Sequence, residues 1–156
     1  MKVGKYRKKA REILFKTLYS YDLKGENLSD ILKYYIEEFK RDNKGKINTK
    51  TVEYANSIAK GIEKHLKEID KIIERHLKGW RLERLGYLER ALLRLGTYEL
   101  VFSDIQDKGR VFIDILDLAK CYLPEEDSIK FINGVLSGIF KKITKKYQSD
   151  KRKTIS

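Results

Sequence analysis

Cysteine, proline and methionine occur once each and histidine twice in 156 residues, and each scarcity closes off a chemistry. A lone Cys121 cannot form a disulfide within its own chain, which fits a reducing compartment. It lies among core-type residues with no local activating partner, so it reads as a small buried hydrophobe. His65 and His76 are eleven residues apart; on a helix they share a face but stand about 16 Å apart along the axis. That is too far to hold one metal ion. No apolar run approaches membrane-spanning length, and residues 1–16 are too charged for a secretory signal, so a cytoplasmic protein with no membrane contact is expected. A glycine-rich phosphate loop is also missing: GVLSG, residues 134–138, sits inside an amphipathic pattern where small residues let helices approach. The carboxylates are scattered among cations as helix-face pairs. Nothing here supplies a catalytic constellation or a cofactor site, and the chain reads as a non-enzyme.

What is abundant is positive charge. Lys and Arg number 35 against 23 Asp and Glu, leaving a formal net charge of +12. A Lys- and Glu-rich surface also suits heat adaptation through ion-pair networks, which explains much charge but not an excess of one sign. The excess clusters at Lys2, Lys5, Arg7, Lys8, Lys9 and Arg11, and again at Lys141, Lys142, Lys145, Lys146, Lys151, Arg152 and Lys153. Clustering of this kind favours a field built for a polyanion.

Scarce proline and few turn clusters favour helices throughout. The stretch GYLERALLRLGTYELVF, residues 86–102, has apolar side chains on most faces and small Ala91 and Gly96, so it reads as a central helix packed from several directions. Glu89, Arg90 and Arg94 on it must reach water or a partner. A first helix over residues 5–23 buries Ala10, Ile13, Leu14, Thr17, Leu18 and Tyr21 and ends before Gly25. Its other side carries Lys5, Lys8, Lys9, Phe15, Lys16 and Tyr19. Cations beside rings suit single-stranded nucleic acid, although Phe15 and Tyr19 would equally serve as packing against a second helix. Asn27 or Ser29 caps a second helix; a third runs from Asn48 or Thr49 to Gly79, with a bend at Gly61 or Asp70. After a loop over 103–109, residues 111–122 form another helix, and a last one begins near Asp127. The apolar-poor segment 148–156 is expected to be a disordered basic tail.

Three stretches resemble the NusB family of transcription antitermination factors: RKKAREILFKTLYSYD (7–22), LERALLRLGTYEL (88–100) and EDSIKFINGVL (126–136). The third matches a D-S-x-K-F-[VI]-N-G-V-L signature and is the most specific. Their order and spacing agree with the family over nearly the whole chain except the tail. The segment KGRVFIDIL (108–116) departs from the family's V-P-x-x-V-A-I-N-E-A pattern, so contacts of that segment are not carried over.

The resemblance implies an all-α fold of about seven helices around a central buried helix, in one domain over 1–147. Its N-terminal subdomain would span about 1–78 and its C-terminal subdomain about 79–147. It implies noncatalytic binding of single-stranded boxA RNA together with NusE, within an RNA polymerase antitermination complex for ribosomal RNA. Some family members form homodimers that cover the RNA surface. RNA-contact positions carried over are Arg7, Lys8, Lys9, Arg11 and Tyr19 in the first motif, Glu89 in the second, and Asp127, Lys130 and Phe131 in the third. Lys16 joins them from the cation-bearing face of the first helix. Phe131 reads alternatively as a shoulder of the core, Asp127 as a helix cap and Glu89 as an ion-pair partner. Rival functions are a protein-binding helical scaffold with a nonspecific basic surface, or an accessory RNA-binding subunit of an RNA-modifying enzyme.

Overall fold

Asparagine, aspartate and glycine set most of the helix boundaries. In the computed structural model, which describes the backbone at 3–79 and 81–155 and side chains at 5–79 and 81–146, six α-helices and one 3₁₀ turn account for the ordered elements. Lys2, Lys151, Arg152 and Lys153 of the two basic clusters lie outside the residues whose side chains are described. Helix α1 (Val3–Lys24) stops where Gly25 takes a φ of 65°, a conformation that costs glycine little. Asn27 caps α2 (Leu28–Asp42), its side chain accepting from the Ser29 amide at 2.8 Å, and Asn48 caps α3 (Thr49–Arg75) through the Lys50 amide. These side chains satisfy amides that the helix leaves without a partner. A 3₁₀ turn, Leu82–Arg84, leads into α4 (Tyr87–Val101), followed by α5 (Lys108–Tyr122) and α6 (Glu126–Ile155).

Helix α4 is the axis of the fold. Every residue from 91 to 100 is buried, and the helix touches α1, α3, α5 and α6. Gly96 shows why a small residue is needed: a Cβ there would meet Leu136 at 3.0 Å and Ile115 at 3.2 Å. Ile115 and Leu136 are themselves fully buried, so α5 and α6 close directly on the backbone of α4. On α3, a Cβ at Gly61 would enter the ring of Tyr98. Of the GVLSG glycines, only Gly138 has a close neighbour, the ring of His76, while Gly134 faces open space.

Arg94 and Glu99, the two charged groups in the buried stretch of this helix, are both paired. Arg94 donates to both carboxylate oxygens of Asp70 at 3.0 Å and to Asp22 at 2.9 Å, tying α4 to α3 and α1. Burial alone would lower its guanidinium pKa, but the bonds and charges of Asp70 and Asp22 outweigh that and raise it. Glu99, with no solvent exposure, accepts from Arg11 Nε at 2.8 Å and from the Tyr54 hydroxyl. Arg11 also reaches Asp114 at 3.1 Å, so four helices meet at one charged cluster.

Three sequence expectations need correction. Helix α5 begins at Lys108, not near Val111, because Asp107 accepts from the Arg110 amide and starts the helix inside the expected loop. Lys108 then caps the end of α4, donating to the carbonyls of Glu99 at 2.8 Å and Ser103 at 2.9 Å. Cys121 is exposed, since Val111, Ile115, Leu118 and Ala119 define the buried stripe of α5 and Cys121 falls off it. Of the two readings open for Phe15, packing against another helix holds: it is buried, its ring 4.6 Å from that of Tyr122. The backbone of α6 continues as helix to Ile155, into the segment for which low apolar content suggested disorder; Lys, Arg and Gln are good helix formers, which hydropathy alone does not register.

Candidate nucleic-acid interface

Helix α1 supplies one face of the candidate site and sets the position of the other parts. Tyr19 meets Tyr87 edge-on, with ring centroids 6.3 Å apart and planes at 89°. That contact joins α1 to the first turn of α4, where Glu89 lies two residues further on. One turn earlier on α1, Phe15 packs against Tyr122 at the end of α5. Leu123, Pro124 and Glu125 follow, and α6 opens with exposed Asp127 and Lys130 and a half-buried Phe131 packed on the core. The Tyr19–Tyr87 contact thus joins the first two family-like motifs at an aromatic corner, and the Phe15–Tyr122 contact, one turn away on α1, fixes the end of α5 from which the short connection to α6 and the third motif departs.

Tyr87 is held by Arg90. The guanidinium lies 5.2 Å from the ring centroid, donates to the carbonyls of Glu83 at 3.0 Å and Leu85 at 3.2 Å, and approaches Asp22 at 3.6 Å. The 3₁₀ turn is thereby pinned to α4, and Tyr87, at 42% exposure, presents much of its ring to solvent. Glu89 is half-buried with its carboxylate folded against Gly86, where it also complements the positive end of the helix dipole. Asp127 sits in the first turn of α6 and does the same there.

The basic cluster of α1 lies at the other end of that helix. Lys8 and Lys9 precede Tyr19 by eleven and ten residues, so about 15 Å of helix axis separates them from the aromatic corner. Lys5, Lys8, Lys9 and Lys16 are exposed. Arg7 is half-buried, its guanidinium 5.9 Å from the Tyr6 ring centroid and 5.5 Å from that of Tyr54. Lys9 lies 5.9 Å from the ring of Phe39.

Arg11 does not belong to this surface. At 3% exposure, with its guanidinium committed to Glu99 and Asp114, it is a buried counter-charge and is withdrawn from the expected RNA contacts. Burial works to lower its pKa, yet Glu99, Tyr54 and Asp114 together raise it. Sequence pattern did not separate it from its neighbours Lys8 and Lys9, because the partner that demands it stands 88 residues away.

The residue missed in the sequence is Tyr87. A signal was present in its place: an aromatic side chain at the mouth of the central helix, outside that helix's apolar pattern. Tyr6, Tyr54 and Lys50, which gather near Arg7, carried no such signal, since their proximity depends on how α3 packs on α1.

Exposed lysines beside aromatic rings, on an all-helical body, are the features of a nucleic-acid-binding class of protein. The NusB family profile matches residues 8–141. Transcription antitermination protein NusB of Persephonella marina is 63% identical over 139 residues, which cover 89% of this chain and 95% of that protein. NusB of Aquifex aeolicus is 49% identical over 137 residues, 88% of each chain. A chain in a crystal structure of antitermination factors NusB and NusE in complex with dsRNA superposes with a TM-score of 0.77 at 47% identity, covering 88% of this chain and 97% of that one. A chain in the crystal structure of a plectonemic RNA supercoil gives 0.80 at 48% identity, covering 89% and 96%. The chain belongs to the NusB family, which places it among transcription antitermination factors and not among enzymes.

Proposed function

We propose that this protein binds boxA-type single-stranded RNA together with a NusE-type partner, as part of an RNA polymerase antitermination complex acting on ribosomal RNA transcripts in the cytoplasm. The observation that carries this reading is the Tyr19–Tyr87 pair where α1 meets the opening of α4, with exposed Lys16 one turn before Tyr19 on α1 and exposed Lys130 in the third motif on α6. Half-exposed rings offer stacking to unpaired bases, each contact worth roughly 1–3 kcal/mol. Lysines take the phosphates between them. Glu89 and Asp127 cannot face phosphates, but their oxygens accept hydrogen bonds from base amino groups and so add sequence preference to a charge-driven affinity. Lys8 and Lys9 extend the positive field along α1.

A NusE-type partner on an adjacent surface would raise RNA affinity, and RNA would raise affinity for the partner by the same factor. Homodimerisation over the aromatic corner would compete with RNA. A duplex is the second reading, favoured by the neighbouring NusB–NusE structure's dsRNA; paired bases, however, leave no ring face free for tyrosine.

Fluorescence anisotropy tests the proposal, comparing a boxA strand, a scrambled strand and a boxA duplex, with and without NusE, at two salt concentrations. Preference for the single boxA strand that grows with NusE is expected. Equal and strongly salt-dependent binding to all three would mean that net charge acts alone; tighter binding to the duplex would favour the second reading.

A further inference from the structure

Apart from the aromatic corner, an open groove of about 900 Å³ lies between α1, the end of α2 and the start of α3. We propose that this groove is a second RNA contact, taking the phosphate backbone of nucleotides that flank the strand held at the corner; the inference rests on the RNA-binding reading above. Lys9 comes to it from α1, Lys40 from α2 and Lys46 from the connecting loop, and no carboxylate lines it. Phe39, Ile47 and Val52 also line it, and each packs partly against the core. The space is kept open by the α2–α3 connection. Lys44 and Gly45 both take positive φ, at 55° and 76°, and the Gly45 amide returns to the Lys40 carbonyl at 2.7 Å. The loop turns back on α2 instead of filling the gap.

The arrangement of charge selects the ligand class. Lys9 and Lys46 are exposed, and Lys40 makes only a surface ion pair with Glu37 at 3.3 Å, an interaction that exchanges readily for another anion. Cations spread along an open trough follow a chain of phosphates, whereas a site for a small anion would draw buried donors to one point. Phe39, with Lys9 near its ring, adds an aromatic element. Continuity supports the same occupant: Lys9 borders the groove and adjoins Lys8 in the basic end of α1, so a strand leaving the corner along α1 arrives at Lys9.

The test compares a core boxA RNA with the same RNA carrying oligouridine flanks on its 5′ or 3′ side, using anisotropy and the full chain. One flank is expected to tighten binding to the wild-type protein by roughly tenfold and to steepen the salt slope by about 1.4, two phosphates at about 0.7 each. Lys40→Glu/Lys46→Glu should abolish that gain while still binding the core RNA, and a charge-matched Lys67→Glu/Lys71→Glu variant on the exposed side of α3 should keep it. The charge-matched variant accounts for the change in overall charge, which acts on the flank as well as on the core. No gain from either flank, or a gain that survives Lys40→Glu/Lys46→Glu, overturns the groove while leaving the corner intact. Failure of the wild-type protein to bind any of these RNAs removes the proposed function itself. A flank gain that poly-glutamate suppresses more strongly than free oligouridine would assign the groove to an acidic protein instead.

Discussion

Replacing Arg11 by alanine separates a buried counter-charge from a surface RNA contact. The side chain joins Glu99 through Nε at 2.8 Å and Asp114 through Nη1 at 3.1 Å. Without it, a fully buried Glu99 keeps only the Tyr54 hydroxyl as a side-chain donor. Breaking one member of a buried pair costs about 3–5 kcal/mol, mostly the penalty of stranding the other charge. For a chain of this size each kcal/mol moves the melting temperature by about 2–4 °C, so a fall of roughly 6–20 °C is expected. Thermal unfolding followed by circular dichroism measures it, and anisotropy well below the new midpoint measures RNA binding in the folded fraction. The salt slope of RNA binding should match the wild type. Arg11→Lys keeps the charge but loses the planar fork that reaches two carboxylates, so it should also be destabilised. An unchanged melting temperature together with a salt slope shallower by about 0.7 would refute the burial argument and return Arg11 to the RNA surface.

Other substitutions probe the corner and the core. Tyr87→Ala should weaken binding of single-stranded RNA by roughly 1–3 kcal/mol with only a small fall in melting temperature, since Tyr87 is 42% exposed and its ring touches Tyr19 edge-on. Phe131→Ala should weaken RNA binding by a similar amount but also lower stability, because that ring is half-buried against the core; urea titration beside anisotropy separates the two effects. Lys8→Ala should leave folding intact and reduce the salt slope by about 0.7. Burial first, and then the charge of Glu99, raise the Tyr54 pKa above its ordinary 10.0. The folded protein thus holds a proton that the unfolded chain releases, and its stabilising effect is present below pH 10 and lost as pH rises further. Urea unfolding between pH about 9 and 11 should show a shallower alkaline loss for Tyr54→Phe than for the wild type. Some loss will remain, because Tyr98 and Tyr122 are raised by burial too.

The central helix was legible in the sequence because burial leaves a local record: apolar residues on most faces of 86–102 and a glycine where α5 and α6 close in. Helix ends at Asn27 and Asn48 were legible for a similar reason, since capping is a contact between residues two or three apart. What the sequence concealed depends on distant partners. Lys8 and Arg11 look alike within the basic run of α1, and only Glu99 and Asp114 tell them apart. Phe15 and Tyr19 likewise shared one description, yet Tyr122 covers the first while Tyr87 leaves the second half-exposed. The three motifs identified the family, but the contact of Tyr19 with Tyr87 that joins the first two depends on packing between helices. The lysine groove had no sequence signature, because its walls come from three elements and its shape from two positive-φ residues in a loop.

Photocrosslinking tests the shared corner most directly. A boxA-type RNA carrying 4-thiouridine at one position at a time is irradiated with the protein, and the adducts are mapped by mass spectrometry. Adducts at Tyr19, Tyr87 and Phe131 from neighbouring positions of one strand are expected if α1, α4 and α6 form one binding face. Adducts confined to the basic end of α1, or scattered over the surface independently of RNA position, would contradict it.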